Sequence, residues 1–368
     1  MDKLNICLVS LTIAPDSQDG AGKSFRGIFD YLRKQGHNVK LITGKWNTDL
    51  NDPDIIQLDL IPKRFLWAPQ FMLKAIKYLY SHKFDIFHGN APKGTLPIIL
   101  SNKKKFLTTI HDMGPFETSF TKIPIEKYLI KLTVQKATVI TTVSNFIKKE
   151  IKYFVPKVDN NRIFVHYNGI EENFKPYPKE ADRLKKKLKL DGPIILYIGR
   201  IAFYKGVEDI IKAYKIAKKK ISDLTLVIGG KPDFQMEKKY DEWKKTHKDI
   251  HFIGFVEEQE LPYYYSMADV FITYSYASEG FGLTPIEAIA CGTPVICSTM
   301  VAYKEILHEN AIFVPPRSPQ KLALEIINLL RDELKYKALQ ENARTFIKRY
   351  TWDSVGKKLE HAYSRLLE

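Results

Sequence analysis

A chain of 368 residues is too long for one ordinary core and implies two domains. Its 45% hydrophobic and 12% aromatic content excludes an intrinsically disordered protein, and its apolar runs fall well short of the roughly 18 residues that cross a bilayer. The formal charge of +15 is uneven: residues 1–170 carry 25 Lys and Arg against 14 Asp and Glu, the remainder 32 against 28. That excess reads either as plain solubility or as attraction to an anionic membrane surface, an acidic ligand or nucleic acid.

The opening segment MDKLNICLVSLTIAPDSQ lacks a long apolar core and a small-residue cleavage site, so no signal peptide is expected. Cys7, Cys291 and Cys297 are odd in number and have no CxxC spacing, which favours a reduced, cytoplasmic, metal-free protein. Strands are predicted at 6–11, 39–43, 55–60, 84–88, 106–110, 138–143 and 163–167. Helix-length segments between them include 22–35, 69–82, 123–136 and 144–154. Buried strands alternating with crossover helices imply a parallel sheet covered on both faces. Asp52-Pro-Asp54 has the Asp-x-Asp form of a metal site but reads as a turn into the strand at 55–60.

Residues 167–193 are polar, charged and proline-punctuated, as an inter-domain linker would be. A second strand series follows at 194–199, 225–230, 250–254, 269–274, 294–298 and 311–315. The expected architecture is α/β: two doubly wound Rossmann-like domains, 1–170 and 171–350, facing across a cleft at the carboxyl ends of their strands. A helix over 351–368 is expected to pack back across the domain junction.

Two loops suit anions. The first, Asp19-Gly20-Ala21-Gly22-Lys23-Ser24, lies between the first strand and first helix and resembles an ATPase phosphate loop. That loop requires Gly-x4-Gly-Lys-Ser/Thr, and counting back from Gly22 puts Ser17 at the first glycine position, so the match fails. The second lies in ADVFITYSYASEGFGLTPIEAIACGTPVICS (268–298), where a strand ends in Glu279-Gly280-Phe281-Gly282 and Leu283 leads into a helix. Thr284 suits the N-cap, Pro285 the first helical position and Glu287 the reciprocal end of a capping box. A capping box does not require Glu279, nor two glycines that let backbone N–H groups approach a ligand.

This second segment resembles the donor-sugar signature of the family-4 retaining glycosyltransferases of GT-B fold, Glu-x7-Glu, with Glu279 and Glu287 as its acids. LYIGRIAFYKG (196–206) resembles the family's diphosphate-binding segment, FIGFVEEQELPYYYSMAD (252–269) its base-binding turn, HYNGIEENFKP (166–176) the end of its first domain, and TTIHDMGPF (108–116) the segment with its donor-sugar histidine. The resemblance implies catalytic roles for Glu279, His111, Arg200 and Lys205. It implies donor contacts from Val256 near the base, from Gly280, Phe281, Gly282, Leu283 and Thr284 along the sugar and phosphates, and from Glu287 at the ribose. Gly20 and Gly22 would then belong to a glycine loop closing over the donor phosphates, with Lys23 and Ser24 as ordinary first-turn residues. The segment after PVICS departs from the family by lacking its glycines, although it keeps Glu305.

The implied reaction moves a hexose from a UDP-, GDP- or ADP-sugar to a glycan or lipid-linked glycan, without a metal or other cofactor. A nucleotide-sugar epimerase of the same fold and an NTPase acting through GAGKS are the alternatives. No zinc spacing, RNP-like motif or helix-turn-helix supports nucleic acid as a partner. The stretch 63–84 interleaves Lys and Arg with Phe65, Leu66, Trp67, Phe71, Met72, Leu73, Ile76, Tyr78, Leu79 and Tyr80. It reads either as an element lying on an anionic membrane, which would put the enzyme at the inner face of the cell membrane, or as a crossover helix with one buried face.

Overall fold

A computed structural model describes residues 3–16, 19–61, 63, 66–117, 124–277 and 279–368. Ser17 and Phe65, named above, and Ile123, the first residue of the segment 123–136, lie outside the described residues. The chain divides into two compact units, 1–169 with 350–368, and 170–349.

The first unit contains β1 (Asn5–Val9), β2 (Asn38–Lys45), β3 (Ile55–Asp59), β4 (Ile86–Asn90), β5 (Leu107–Ile110), β6 (Val139–Thr142) and β7 (Ile163–Val165). They form one all-parallel sheet in the order β3-β2-β1-β4-β5-β6-β7. All five residues of β4 and all four of β5 and β6 are buried, so none of these strands alternates between a covered and an open face; β5 and β6 read as continuous apolar or β-branched runs. The helix Trp352–Leu367 belongs to this unit: Leu359, Ala362, Tyr363 and Leu366 enter the core formed by Ile6, Leu8, Phe25, Phe29 and Leu107.

The second unit contains β8 (Ile194–Ile198), β9 (Thr225–Gly229), β10 (Ile250–Gly254), β11 (Val270–Thr273), β12 (Val295–Ser298) and β13 (Ala311–Val314). These are also all parallel, in the order β10-β9-β8-β11-β12-β13. Each unit thus reverses strand order beside its first strand, the doubly wound arrangement that leaves a crevice at the carboxyl ends of its own strands. The linker region ends in the helix Pro178–Leu188, whose Pro178 occupies the first helical turn.

The Asp52-Pro-Asp54 turn is held by cations. Asp52 pairs with Arg33 at 2.7 Å, Asp54 pairs with Lys40 at 2.7 Å, and the Asp52 carbonyl accepts from Ile55 N–H at 3.0 Å.

Candidate active site

Three elements of the second unit converge at the carboxyl ends of β8 and β11. After β8 the chain passes Arg200 and enters a short 3-10 turn, Phe203–Lys205. After β11 it runs through Tyr274 and Ser275 to Glu279 and the helix Leu283–Ala290. Lys205 and Glu279 meet as an ion pair: Lys205 Nζ donates to Glu279 Oε1, which also accepts from Ser275 Oγ at 3.0 Å. Glu279 is only 8% exposed, so its charge depends on those two donors. Tyr204 lies between the two predicted cations. Arg200 donates to its hydroxyl, and its ring faces the Arg200 guanidinium at 5.8 Å and the Lys205 ammonium at 5.4 Å.

The predicted capping box does not form. Gly282, at φ +91°, is the N-cap, and the helix begins at Leu283, one residue before the predicted cap. A β-carbon at Gly282 would stand 2.6 Å from the Tyr303 ring, so both conformation and space demand glycine there. With Thr284 already inside the helix, Glu287 is one turn in and 3% exposed; its Oε2 accepts from the buried Tyr265 hydroxyl at 2.7 Å. Tyr303 supports the loop from below, sharing its hydroxyl with Thr273 at 2.9 Å and Ser275 at 3.3 Å. Phe281 and Val256 are buried, the latter just past β10, while Gly280 leads the loop toward the helix.

In the first unit, the helix Gly20–Lys34 starts inside GAGKS. Asp19 caps it: its Oδ1 accepts from Gly22 N–H at 2.6 Å, so a carboxylate occupies the amide predicted to face phosphate. Ser24 is no ordinary first-turn residue. It is buried, and its hydroxyl donates to Asn168 Oδ1 at 2.6 Å, tying the helix to the end of the unit. His111 follows β5 and is 8% exposed, with its Nε2 2.7 Å from Asn90 Oδ1. Burial, reinforced by nearby His166 and opposed by Asp19, pushes the His111 pKa down to about 3, so the ring is neutral at physiological pH.

Lys205 and Glu279 are therefore in contact, with Arg200 joined to Lys205 through Tyr204. Glu287 stands on its own partner, Tyr265, and His111, Gly20 and Gly22 belong to the other unit. Sequence reasoning does not single out Tyr204, Tyr265, Ser275, Tyr303, Asp19 or Asn90. Only Asp19, a helix-capping residue type three before its partner Gly22, carries a local signal.

Two family models match: Glycosyltransferase Family 4 over residues 18–174 and Glycosyl transferases group 1 over residues 178–346. An uncharacterised glycosyltransferase of Methanocaldococcus jannaschii is 26% identical, with 99% of each chain covered. The alpha-monoglucosyldiacylglycerol synthase of Acholeplasma laidlawii is 26% identical over 92% of this chain and 91% of its own. The solved structure of Anabaena HepE in complex with UDP-glucose superimposes with a TM-score of 0.81 at 18% identity, covering 98% of this chain and 99% of that one. Two Rossmann-like units with this topology have the GT-B fold. The chain belongs to the family-4 glycosyltransferases.

Proposed function

We propose that the protein is a retaining, metal-independent hexosyltransferase that takes its sugar from a nucleoside-diphosphate donor and passes it to a hydroxyl of a glycan or lipid-linked glycan. The observation that carries this reading is the buried Lys205–Glu279 pair, joined through Tyr204 to Arg200 beside a glycine-capped helix N-terminus. Arg200 and Lys205 supply fixed positive charge to the departing diphosphate, where negative charge grows as the glycosidic bond breaks. The amides that open the helix Leu283–Ala290 add their partial positive charge. Glu279 holds sugar hydroxyls rather than attacking the anomeric carbon, because a carboxylate already neutralised by Lys205 and Ser275 is a poor nucleophile. The acceptor hydroxyl then attacks from the face that the diphosphate leaves. Glu287, oriented by Tyr265, takes the ribose hydroxyls, and Val256 borders the base.

The HepE complex contains UDP-glucose and the Acholeplasma relative is named for a glycolipid, which supports a nucleotide sugar and a lipid-linked acceptor here. A thermal-shift screen of UDP-, GDP- and ADP-sugars tests the donor, since a ligand bound only by the folded state raises the melting temperature. Arg200→Ala should lower kcat by about 10²–10³-fold, the usual effect of removing one preorganised contact to developing charge. Wild-type turnover by that variant would overturn the assignment, and loss of transfer in EDTA would overturn metal independence.

The first unit is proposed to lie on an anionic membrane. In the helix Trp67–Ser81, Phe71, Ala75 and Leu79 are buried, whereas Leu73 and Tyr80, and Leu66 at the N-cap, are exposed at seven-residue spacing. Lys63, Lys77 and Lys83 are exposed on the same segment. One stripe serves the core and the other is free to meet lipid. Sedimentation with anionic but not neutral vesicles at low salt is expected, and should be weakened by Leu73→Glu with Tyr80→Glu. Equal sedimentation with both vesicles would refute it.

A further inference from the structure

Ser10, Asn90 and His111 stand at the carboxyl ends of β1, β4 and β5, three neighbours in the sheet of the first unit, and a single hydrogen-bonded line joins them. Its polarity can be read from one end. Ser10 Oγ donates to the Thr12 carbonyl at 2.6 Å, which spends its only proton. It must therefore accept from Asn90 Nδ2, 2.8 Å away, and the Ala21 carbonyl lies on the same side of that amide at 3.5 Å. With its NH2 group held on this side, Asn90 turns its carbonyl oxygen to His111 Nε2 at 2.7 Å. A carbonyl can only accept, so Nε2 must carry the ring proton.

We infer that Ser10 and Asn90 are positioning residues that lock His111 in the Nε2–H tautomer, so that Nδ1 offers a lone pair and the ring recognises a hydroxyl of the donor sugar as an obligatory acceptor. Among the described residues Nδ1 has no hydrogen-bond partner of its own. The inference rests on the reading of His111 as a donor-sugar contact. It adds that this contact discriminates: a sugar with a hydroxyl at the contacted carbon is bound, and one with hydrogen or fluorine there cannot donate. The lock has a reason in the surroundings. His111 is buried and its pKa lies far below neutrality, so without Asn90 the neutral ring could place its proton on either nitrogen. The titratable groups whose fields reach it are His166 and, through their mutual coupling, His88, both also held neutral by burial, with Asp19 at the N-cap of Gly20–Lys34.

Asn90→Asp tests the lock with almost no change of shape. A carboxylate beside Nε2 favours the doubly protonated ring, which puts a proton on Nδ1 and abolishes its acceptor role. Long-range ¹H–¹⁵N correlation spectra of histidine-labelled protein should show wild-type His111 protonated at Nε2 alone from pH 8 to pH 5, and doubly protonated near neutrality in Asn90→Asp. At pH 6.5 the variant's Nδ1–H would donate and the sugar hydroxyl would turn to accept, so the wild-type preference for a hydroxyl over fluorine at that carbon, read as the ratio of kcat/KM for the two donors, should fall by about ten- to a hundredfold and recover as pH rises. KM for acceptor should not move. Ser10→Ala, which frees the amide to turn over, should show a mixture of ring tautomers. A wild-type spectrum with the proton on Nδ1 overturns the inference whatever the activity. A loss of that preference in Asn90→Asp that does not depend on pH overturns the link to the donor sugar. The spectra need no turnover, so they decide the tautomer even if the transferase reading fails.

Discussion

Lys205 and Glu279 are 19% and 10% exposed along their side chains, so each is the other's main compensation for lost hydration. Removing one charge from such a pair leaves the other stranded, at a typical cost of about 3–5 kcal/mol, whereas removing both is much less harmful. Lys205→Ala is therefore expected to destabilise the second unit by about 3 kcal/mol. Lys205→Ala combined with Glu279→Gln should regain about 1–3 kcal/mol of that, a coupling measurable by urea unfolding of the four proteins in the cycle. Additive effects would mean that the pair is solvated and contributes no more than a surface bridge. Tyr265 and Glu287 make a second test at this scale. Tyr265→Phe keeps the ring but leaves a carboxylate 3% exposed without its 2.7 Å donor. The expected loss is about 1–3 kcal/mol, together with weaker binding of the nucleoside diphosphate in a calorimetric titration. These two acids were singled out from sequence because Glu279, Gly280, Gly282 and Glu287 lie in one short run. Their partners were not. Tyr204, Tyr265 and Ser275 reach the acids by folding, and nothing in the sequence around a tyrosine announces which carboxylate it will meet.

Helix Trp352–Leu367 is held to helix Gly20–Lys34 by two reciprocal fits of an aromatic ring over a glycine. A β-carbon at Gly27 would stand 2.0 Å from the Trp352 ring, and one at Gly356 would stand 2.2 Å from the Tyr31 ring. In an isolated helix, Gly356→Ala would stabilise by about 0.5–1 kcal/mol through propensity. Here the added methyl must displace a packed ring, and overpacking typically costs about 1–3 kcal/mol or more. Packing wins, so Gly356→Ala is expected to lower the urea midpoint, while alanine at the exposed Lys357 of the same helix should not. A raised midpoint in Gly356→Ala would show that the helices separate without loss. The strands were legible because each is a short apolar run bounded by turn residues, and all thirteen lie within a few residues of where periodicity put them. Cap positions were less so: Thr284 has the chemistry of an N-cap, but Gly282 reaches a backbone angle that threonine cannot adopt cheaply, and the helix starts there instead. The segment 63–84 read two ways from its sequence; the helix Trp67–Ser81 does bury one face, through Phe71, Ala75 and Leu79, and leaves Leu73 and Tyr80 exposed.

Across the whole molecule, acid should act first on the first unit. His37, His88, His111 and His166 all belong to the first unit, and burial lowers every one of their pKa values, to about 3 for His111 and about 4 for His166. The geometry agrees, since His37 Nδ1 accepts from Leu4 N–H at 3.2 Å, which a protonated ring could not do. An unfolded histidine titrates near 6.5. Between that value and the depressed folded one, the unfolded chain binds more protons, so stability is fully present above about pH 6.5 and falls as pH drops. Each such group contributes up to about 1.4 kcal/mol per pH unit. By about pH 4.5 the most deeply buried three would together remove on the order of 5–10 kcal/mol, comparable with the whole stability of a domain. In the second unit, burial raises the Asp269 pKa while the hydrogen bond from Lys239 lowers that of Glu208, so the two oppose each other as pH falls, and none of the four histidines above adds to the acid response there. Hydrogen exchange read by mass spectrometry on the intact chain should therefore show residues 1–169 and 350–368 losing protection between about pH 6.5 and 4.5 while residues 170–349 keep theirs. Protection lost first in 170–349, or in both at once, would mean that the four histidines are hydrated in solution and that their burial does not govern the acid response.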